Sequence, residues 1–467
     1  DFIDGFYKEI IFPKTEKELE IGNVLEYPIA FNYIRIKISI DNNLTISKYL
    51  TLQIHQKELL FPSADSLEKR KTNSLKFIIE HGESIAQKAL AMVSENTELA
   101  RAKKIFKNEL SGIEKRKDCS DFYLVPVLWL WIEYRDKVFD DEFWNYAENV
   151  IRGFRYWIDE KGNDVMWYFS ENHALLFHVS ELLAGQIFPE KEFTNAEIKG
   201  KKHYKKAKKR LEEWFERFFA EGFSEWNSTA YIPIDLMGFF ALYELADDPK
   251  LKKLAKKALD MTFELIAYNS HHGIMGCSHG RSYEKELKGR YINHTNALIR
   301  VSWGVGYLNE ATTAQALYCL SDYRPEPELK KYIDWKESNG MIFENTQGKN
   351  NFVDLYLYKN KDYLLTAAVD FKAAKKGYQE HINQLTIDAE TLFWVNHPGE
   401  NLKIGFGRPS YWAGNGYLPK VAQYKNIQFL LFDIGKEHPV NFTHAYFPTY
   451  VFDEYIKKDN YYFVRKD

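Results

Sequence analysis

Four short motifs recur at nearly constant spacing through the middle of this chain, and that periodicity constrains the fold more than any other feature. Cys119-Ser120-Asp121-Phe122, Phe169-Ser170-Glu171-Asn172, Phe223-Ser224-Glu225-Trp226 and Cys277-Ser278-His279-Gly280 place their serines 50, 54 and 54 residues apart. A period near 50 accommodates two helices and two loops. A helical hairpin that cannot bury its apolar face alone must stack on its neighbours or curl round with them. In three of the four motifs the serine suits a helix N-cap, with an acidic residue in the first turn. Alternate helices would then start at one common end, and an incomplete (α/α) toroid is the expected product.

The flanking sequence reads differently. Residues 1–64 carry β-branched and aromatic runs such as Tyr33–Ile38, whose alternation of apolar and charged residues suits a half-buried strand. Residues 65–338 form the helical zone; Leu251–Leu259 is an amphipathic stretch opened by Asp248-Pro249. From 339 to 467 the runs Phe352–Tyr358 and Tyr363–Val369 are split by Lys-Asn and Gly turns, an antiparallel β pattern. The expected architecture is α+β and multidomain: a β-containing lead, the toroid, then an antiparallel β-sandwich. The last run, Tyr461–Arg465, is still patterned as a strand, so the sandwich is expected to be incomplete in this chain.

Charge and composition narrow the function classes. Among 467 residues, 63 Lys and Arg face 66 Asp and Glu, a formal charge of −3. That balance argues against nucleic acid held by bulk phosphate attraction. No apolar run approaches the 18 to 20 residues of a membrane span; Leu124–Ile132 comes nearest. Three cysteines without a CxxC pair indicate neither a disulfide framework nor a cysteine zinc site. The chain starts at Asp1 without a secretory pattern, which leaves a removed leader and a fragment both open. P-loop, nucleophile-elbow and HExxH motifs are missing, and the basic run Lys201–Arg210 reads as a solvated helix face.

The residues with chemical promise fall on the repeats. Ser170-Glu171-Asn172-His173 heads one helix, and an amide beside an imidazole can donate hydrogen bonds to a single carboxylate. One period later stands Glu221-Gly222-Phe223-Ser224-Glu225-Trp226-Asn227-Ser228-Thr229-Ala230-Tyr231. In the strand zone lie Gly377-Tyr-Gln-Glu-His381-Ile-Asn383, Trp394-Val-Asn-His397-Pro-Gly399, and the loop Gly407–Tyr417. Together these resemble the heparinase II/III-like and alginate lyases, over roughly residues 120–467 and by order of elements rather than close identity.

The resemblance implies a toroid joined to a β-sandwich, a cleft between them, and β-elimination on a uronate-containing polysaccharide. It implies that Asn172 and His173 neutralise the substrate carboxylate, that Tyr231 acts as base and acid, and that His381 is the base or partner on the opposite face. Tyr231 stands six residues after Glu225 where the family usually has five, so Tyr283 and Tyr291 remain alternatives. At the family's β-domain zinc positions this chain has Asn383 and His397, which leaves His397 as the candidate ligand of a structural zinc. The chemistry agrees: an ionised carboxylate resists becoming a dianion, so donors must neutralise it before the C5 proton leaves. No cofactor is required.

The fourth repeat, His271–Tyr283, is the densest polar loop; His279, Arg281 and Tyr283 suit the grip of an acidic sugar. Glu171, Glu225, Trp226, Tyr411, Trp412 and Tyr417 complete the candidate substrate contacts. Two other readings stay open: an (α/α) glycoside hydrolase using a carboxylate pair such as Glu171 and Glu225, and a carbohydrate-binding protein without turnover. A polymer substrate implies a secreted or periplasmic protein, with a cytoplasmic one still open, and the oligomeric state is left undetermined.

Overall fold

The computed structural model describes residues 18, 20–39, 44–55, 63, 65–310, 312–350, 352–401 and 407–467. Strands β1 (Phe31–Ser39) and β2 (Thr45–Gln53) form an antiparallel hairpin with Phe31 opposite Gln53. The helical region begins with α1 (Leu67–His81), α2 (Ala86–Ser94), α3 (Leu99–Glu114), α4 (Ser120–Tyr134), α5 (Asp141–Gly153) and α6 (Glu171–Ile187). A two-residue pair, β3 (Glu192–Phe193) and β4 (Ile198–Lys199), leads to α7 (Gly200–Glu221), α8 (Ile232–Leu245) and α9 (Pro249–Tyr268). A second such pair, β5 (Ser270–His271) and β6 (Ile274–Met275), precedes α10 (Glu284–Lys288), α11 (His294–Trp303), α12 (Gln315–Leu320) and α13 (Lys330–Ile333).

The strand region opens with β7 (Met341–Gln347), β8 (Val353–Lys359), β9 (Leu364–Val369), β10 (Asn383–Thr386) and β11 (Leu392–Asn396). A hairpin of β12 (Lys420–Tyr424) and β13 (Ile427–Leu431) follows, then β14 (His444–Tyr446) and the hairpin β15 (Glu454–Lys458) with β16 (Tyr461–Arg465). One six-stranded antiparallel sheet runs β14-β11-β10-β9-β8-β7. The chain is thus a mixed α+β protein. No helix among the described residues is long and apolar enough to cross a membrane.

Sequence patterning sorts the helices into two sets. Eleven of the 14 residues of α8 are buried against seven of the 22 in α7, so α8 is enclosed while α7 keeps a wet face. Likewise α4 and α6 are buried on nearly every side. These enclosed helices pack on one another: α4 meets α6 and α8, α6 meets α8, and α12 returns to α8, α2 and α1. The amphipathic helices α3, α7 and α9 pack outside them, against α2, α6 and α8 respectively. Local signals set the boundaries: Asp248 caps α9 through the N–H groups of Lys250 and Leu251, with Pro249 at its first position.

The recurring serines behave differently from the N-cap expectation. Only Ser170 caps a helix, accepting from the His173 N–H at 3.3 Å. Ser120 is already the first residue of α4 and donates to the Lys117 carbonyl. Ser224 donates to Glu171 across the repeats, and α8 begins only after Tyr231. Ser278 Oγ donates to the Ile382 carbonyl, and its N–H donates to Thr366. At Ser224 and Ser278 a distant segment offers the hydroxyl a partner, so the serine joins segments instead of capping a helix.

The sheet is bolted to the helices along that last serine. His279 and His381 form a two-way backbone bridge, at 3.0 and 2.8 Å. Lys359, wholly buried on β8, donates to the carbonyls of Tyr268 (2.8 Å), Ser270 (2.9 Å) and Tyr332 (2.5 Å) at the foot of α9 and in α13. Cys119, Cys277 and Cys319 are free thiols.

Candidate active site at the mouth of the helical repeats

Asn172 and His173 occupy the first turn of α6. The Asn172 amide donates to Glu225 Oε2 (3.0 Å), and its Oδ1 accepts from Ser170 Oγ (2.8 Å). His173 Nδ1 lies 2.9 and 3.1 Å from the two oxygens of Asp121, a fully buried residue in the first turn of α4. Phe122 stacks on the imidazole at 4.6 Å. The carboxylate fixes the ring and its tautomer, which leaves Nε2 as the nitrogen available to a ligand.

Glu225 also receives Arg281 Nη1 at 2.6 Å. The Arg281 guanidinium sits 4.1 Å from the Tyr231 ring centre and 6.0 Å from that of Tyr283. The two phenol oxygens are 2.8 Å apart. Glu171 accepts from the Ser224 N–H (2.8 Å) and Oγ (3.2 Å). Glu171, Glu225, Tyr231, Arg281 and Tyr283 are all half-buried, so solvent reaches the cluster.

One regularity runs through these contacts. Asp121–His173 joins residues 52 apart, Glu171–Ser224 and Asn172–Glu225 53 apart, Glu225–Arg281 56 apart and Tyr231–Tyr283 52 apart. The sequence period is therefore the step between neighbouring hairpins, and it lays equivalent loops side by side.

Burial dominates the electrostatics. It pushes Glu171 up to about 8, against the opposing hydrogen bonds from Ser224 and with help from the nearby Glu225 charge. Asp235, in the first turn of α8, is driven well above the usual carboxylate range by burial and by Glu171 and Glu225. Burial also raises Glu225, with Arg281 working against it. Asp121 is lifted to about 6 by burial while His173 holds it down. Burial and the Tyr283 hydroxyl raise Tyr231, opposed by Arg281, so the phenol is protonated at neutral pH. One mouth thus holds acids raised by burial beside a fixed cation.

The structure brings Glu171, Asn172, His173, Glu225, Tyr231, Arg281 and Tyr283 together, and it puts the other candidates elsewhere. His279 and His381 are buried at the bridge between helices and sheet, their rings 5.0 Å apart. His279 Nδ1–H donates to the Cys277 carbonyl (2.8 Å), and His381 Nε2 meets Gln384 Oε1 at 2.7 Å. Trp226 is buried under Gly280, where a Cβ would come within 2.7 Å of the indole, and it packs on Phe371. Tyr411 and Trp412 gather round His444, Trp412 stacking on it at 4.2 Å. Tyr417 donates its hydroxyl to Glu437, and Tyr291 stacks on His55 at 3.8 Å. Both ring nitrogens of His397 are engaged by the main chain: Nε2 with the Val440 carbonyl (3.0 Å), Nδ1 with the Tyr417 N–H (2.9 Å). Among the described residues, the atoms that converge as metal ligands belong to Glu160, Glu181 and His203.

Sequence reasoning passed over Asp121 and Asp235. The signal for Asp121 is the repeat itself, because Ser120-Asp121 aligns with Ser170-Glu171 and Ser224-Glu225. It also passed over the exposed Trp167 and Phe169, which meet edge to face at 5.6 Å just before Ser170, and Arg408, 5.8 Å from the Tyr283 ring centre. Comparison of the chain with protein-family models, with curated proteins and with solved structures returns no match.

Proposed function

We propose that this protein is a polysaccharide lyase that cleaves a uronic-acid-containing polymer by β-elimination. The observation that carries the reading is the Asn172–Glu225–Arg281–Tyr231–Tyr283 chain of contacts, with His173 held beside it by Asp121. Asn172, and His173 Nε2 when the ring paired with Asp121 carries both its protons, donate to the uronate carboxylate and offset the charge that builds when C5 loses its proton. The C5–H electron pair forms the C4=C5 double bond, the C4–O4 bond breaks, and O4 takes a proton. Tyr231, kept protonated by burial, is the acid for O4. As Tyr231 gives its proton to O4 it takes the Tyr283 proton across their 2.8 Å hydrogen bond, and the Tyr283 oxygen takes the C5 proton, so both phenols end protonated; Arg281 at 4.1 Å steadies the negative charge that develops on Tyr231.

The finer architecture belongs to the same reading: the enclosed and outer helices as an incomplete (α/α) toroid, and the six-stranded sheet as part of a β-sandwich. Exposed Trp167 and Phe169 supply ring faces on which a sugar chain can stack. A polymer too large to enter a cell places such an enzyme outside the cytoplasm.

One observation favours a second reading, hydrolysis. Glu171, pushed up to about 8, has the protonation of a general acid, and Glu225 is one repeat away from it. Products separate the two. Alginate, a glycosaminoglycan and a glucuronan are incubated with the protein and followed by ultraviolet absorbance and reducing-end assay. A lyase gives an unsaturated uronate on at least one polymer. Reducing ends without that absorbance favour hydrolysis, and neither signal favours a binding protein.

A further inference from the structure

A second histidine–carboxylate group lies inside the helical region. Glu181 is ten residues beyond Glu171 on α6, about 15 Å along the helix axis, so the group is separate from the mouth. His203 is in the first turn of α7, and Glu160 lies in the loop between α5 and α6. Each carboxylate has its Oε2 held from outside. Arg210 takes that of Glu181 (3.1 Å); the Asn195 amide (3.0 Å) and the Tyr156 N–H (3.2 Å) take that of Glu160. Both Oε1 atoms turn to His203 Nδ1, at 2.8 and 3.7 Å.

Glu160 Oε1 has no hydrogen-bond partner, although its side chain is only 3% exposed. A buried carboxylate oxygen left in that state calls for a positive partner. Glu160, Glu181 and His203 can each offer one ligand atom such that the three lie within 4.8 Å of one another. Tyr156 and Phe193 pack on the imidazole, with ring centres at 5.5 and 4.5 Å, and keep the group dry.

We infer that Glu160, Glu181 and His203 form a structural site for a zinc-type divalent cation, bound between His203 Nδ1 and the two Oε1 atoms. One imidazole and two carboxylates are donors that suit zinc, and their two negative charges balance the ion. The outward hydrogen bonds aim the ligands, as partners behind a metal site do. The ion would tie α6 to α7 and to the loop that feeds Ser170, and it takes no part in the elimination. This inference stands independently of the proposed activity.

The test is equilibrium dialysis of the full chain against zinc chloride, with bound metal measured by mass spectrometry and thermal melts recorded with zinc and with a chelator. One zinc per chain and a higher Tm with zinc are expected. Glu160→Gln, which keeps the side chain's shape, should bind zinc at least tenfold more weakly, and His203→Gln should lose it. Cobalt should give visible d–d bands in the wild type only. If His203→Gln fails to fold, Glu160→Gln decides. Wild-type protein that retains no zinc and shows no Tm shift, or equal binding by Glu160→Gln, overturns the site in favour of a protonated His203 shared by two carboxylates.

Discussion

The mouth of the helical repeats and the sheet behind it use polar side chains in opposite ways. At the mouth, side chain meets side chain: Asn172 with Glu225, Glu225 with Arg281, Tyr231 with Tyr283. Behind it, His279, His397 and Lys359 bond to main-chain groups and are buried. A polar group that satisfies the backbone is committed to the fold, because removing it strands a buried carbonyl or N–H. A half-exposed group that satisfies another side chain can exchange that partner for a substrate. Substitutions should therefore separate: loss of turnover at the mouth, loss of stability behind it.

The largest effect is expected from Tyr231→Phe, which deletes one hydroxyl and nothing of the core. Turnover on the responsive polymer should fall about a thousandfold, or about 4 kcal/mol, with an unchanged melt. Near-wild-type activity would move the role to Tyr283 or Tyr291. Next comes Lys359→Met, which takes the donor from one buried and two half-buried carbonyls; chemical denaturation should show about 3 kcal/mol lost, with activity per folded molecule retained. His381→Ala sharpens the contrast further. A cavity cost of about 2 kcal/mol with intact turnover makes the imidazole structural, whereas a normal melt with lost turnover brings it into the proton path.

A smaller effect concerns pH. Glu171 titrates near 8 when folded, against 4.5 unburied, so folding takes up a proton between those values. Its contribution to stability is full below pH 4.5 and is lost as pH rises through 8. Glu171→Gln should flatten that slope in melts recorded from pH 4 to 9. The smallest change is expected at Trp412, stacked on His444 away from the mouth. Trp412→Ala should alter KM by less than about twofold.

The sequence period near 50 gave access to most of the helical region and to the site, because equivalent residues of successive hairpins must lie side by side. The Asp248-Pro249 start of α9 and the strand patterns at Val353–Lys359 and Leu364–Val369 were equally legible. Other features depend on tertiary context. Whether a serine caps a helix or ties two loops is decided by what packs beside it, and Ser224 found Glu171. Alternation along the chain around His279 and His381 cannot say which side is the cleft when helices and sheet enclose both. The aromatic residues of Gly407–Tyr417 look alike in sequence; only their packing on His444 and Glu437 separates them from rings that could meet a sugar.

The uniform step between contacting residues also sets an order of assembly. The contacts Asp121–His173, Asn172–Glu225, Glu225–Arg281 and Tyr231–Tyr283 each link one hairpin to the next, so all these residues have been synthesised once Tyr283 has emerged from the ribosome. By contrast α1 waits for α12 to return, and Lys359 arrives later still. This polar neighbourhood can be stitched hairpin by hairpin while the strands that will back it have yet to be made.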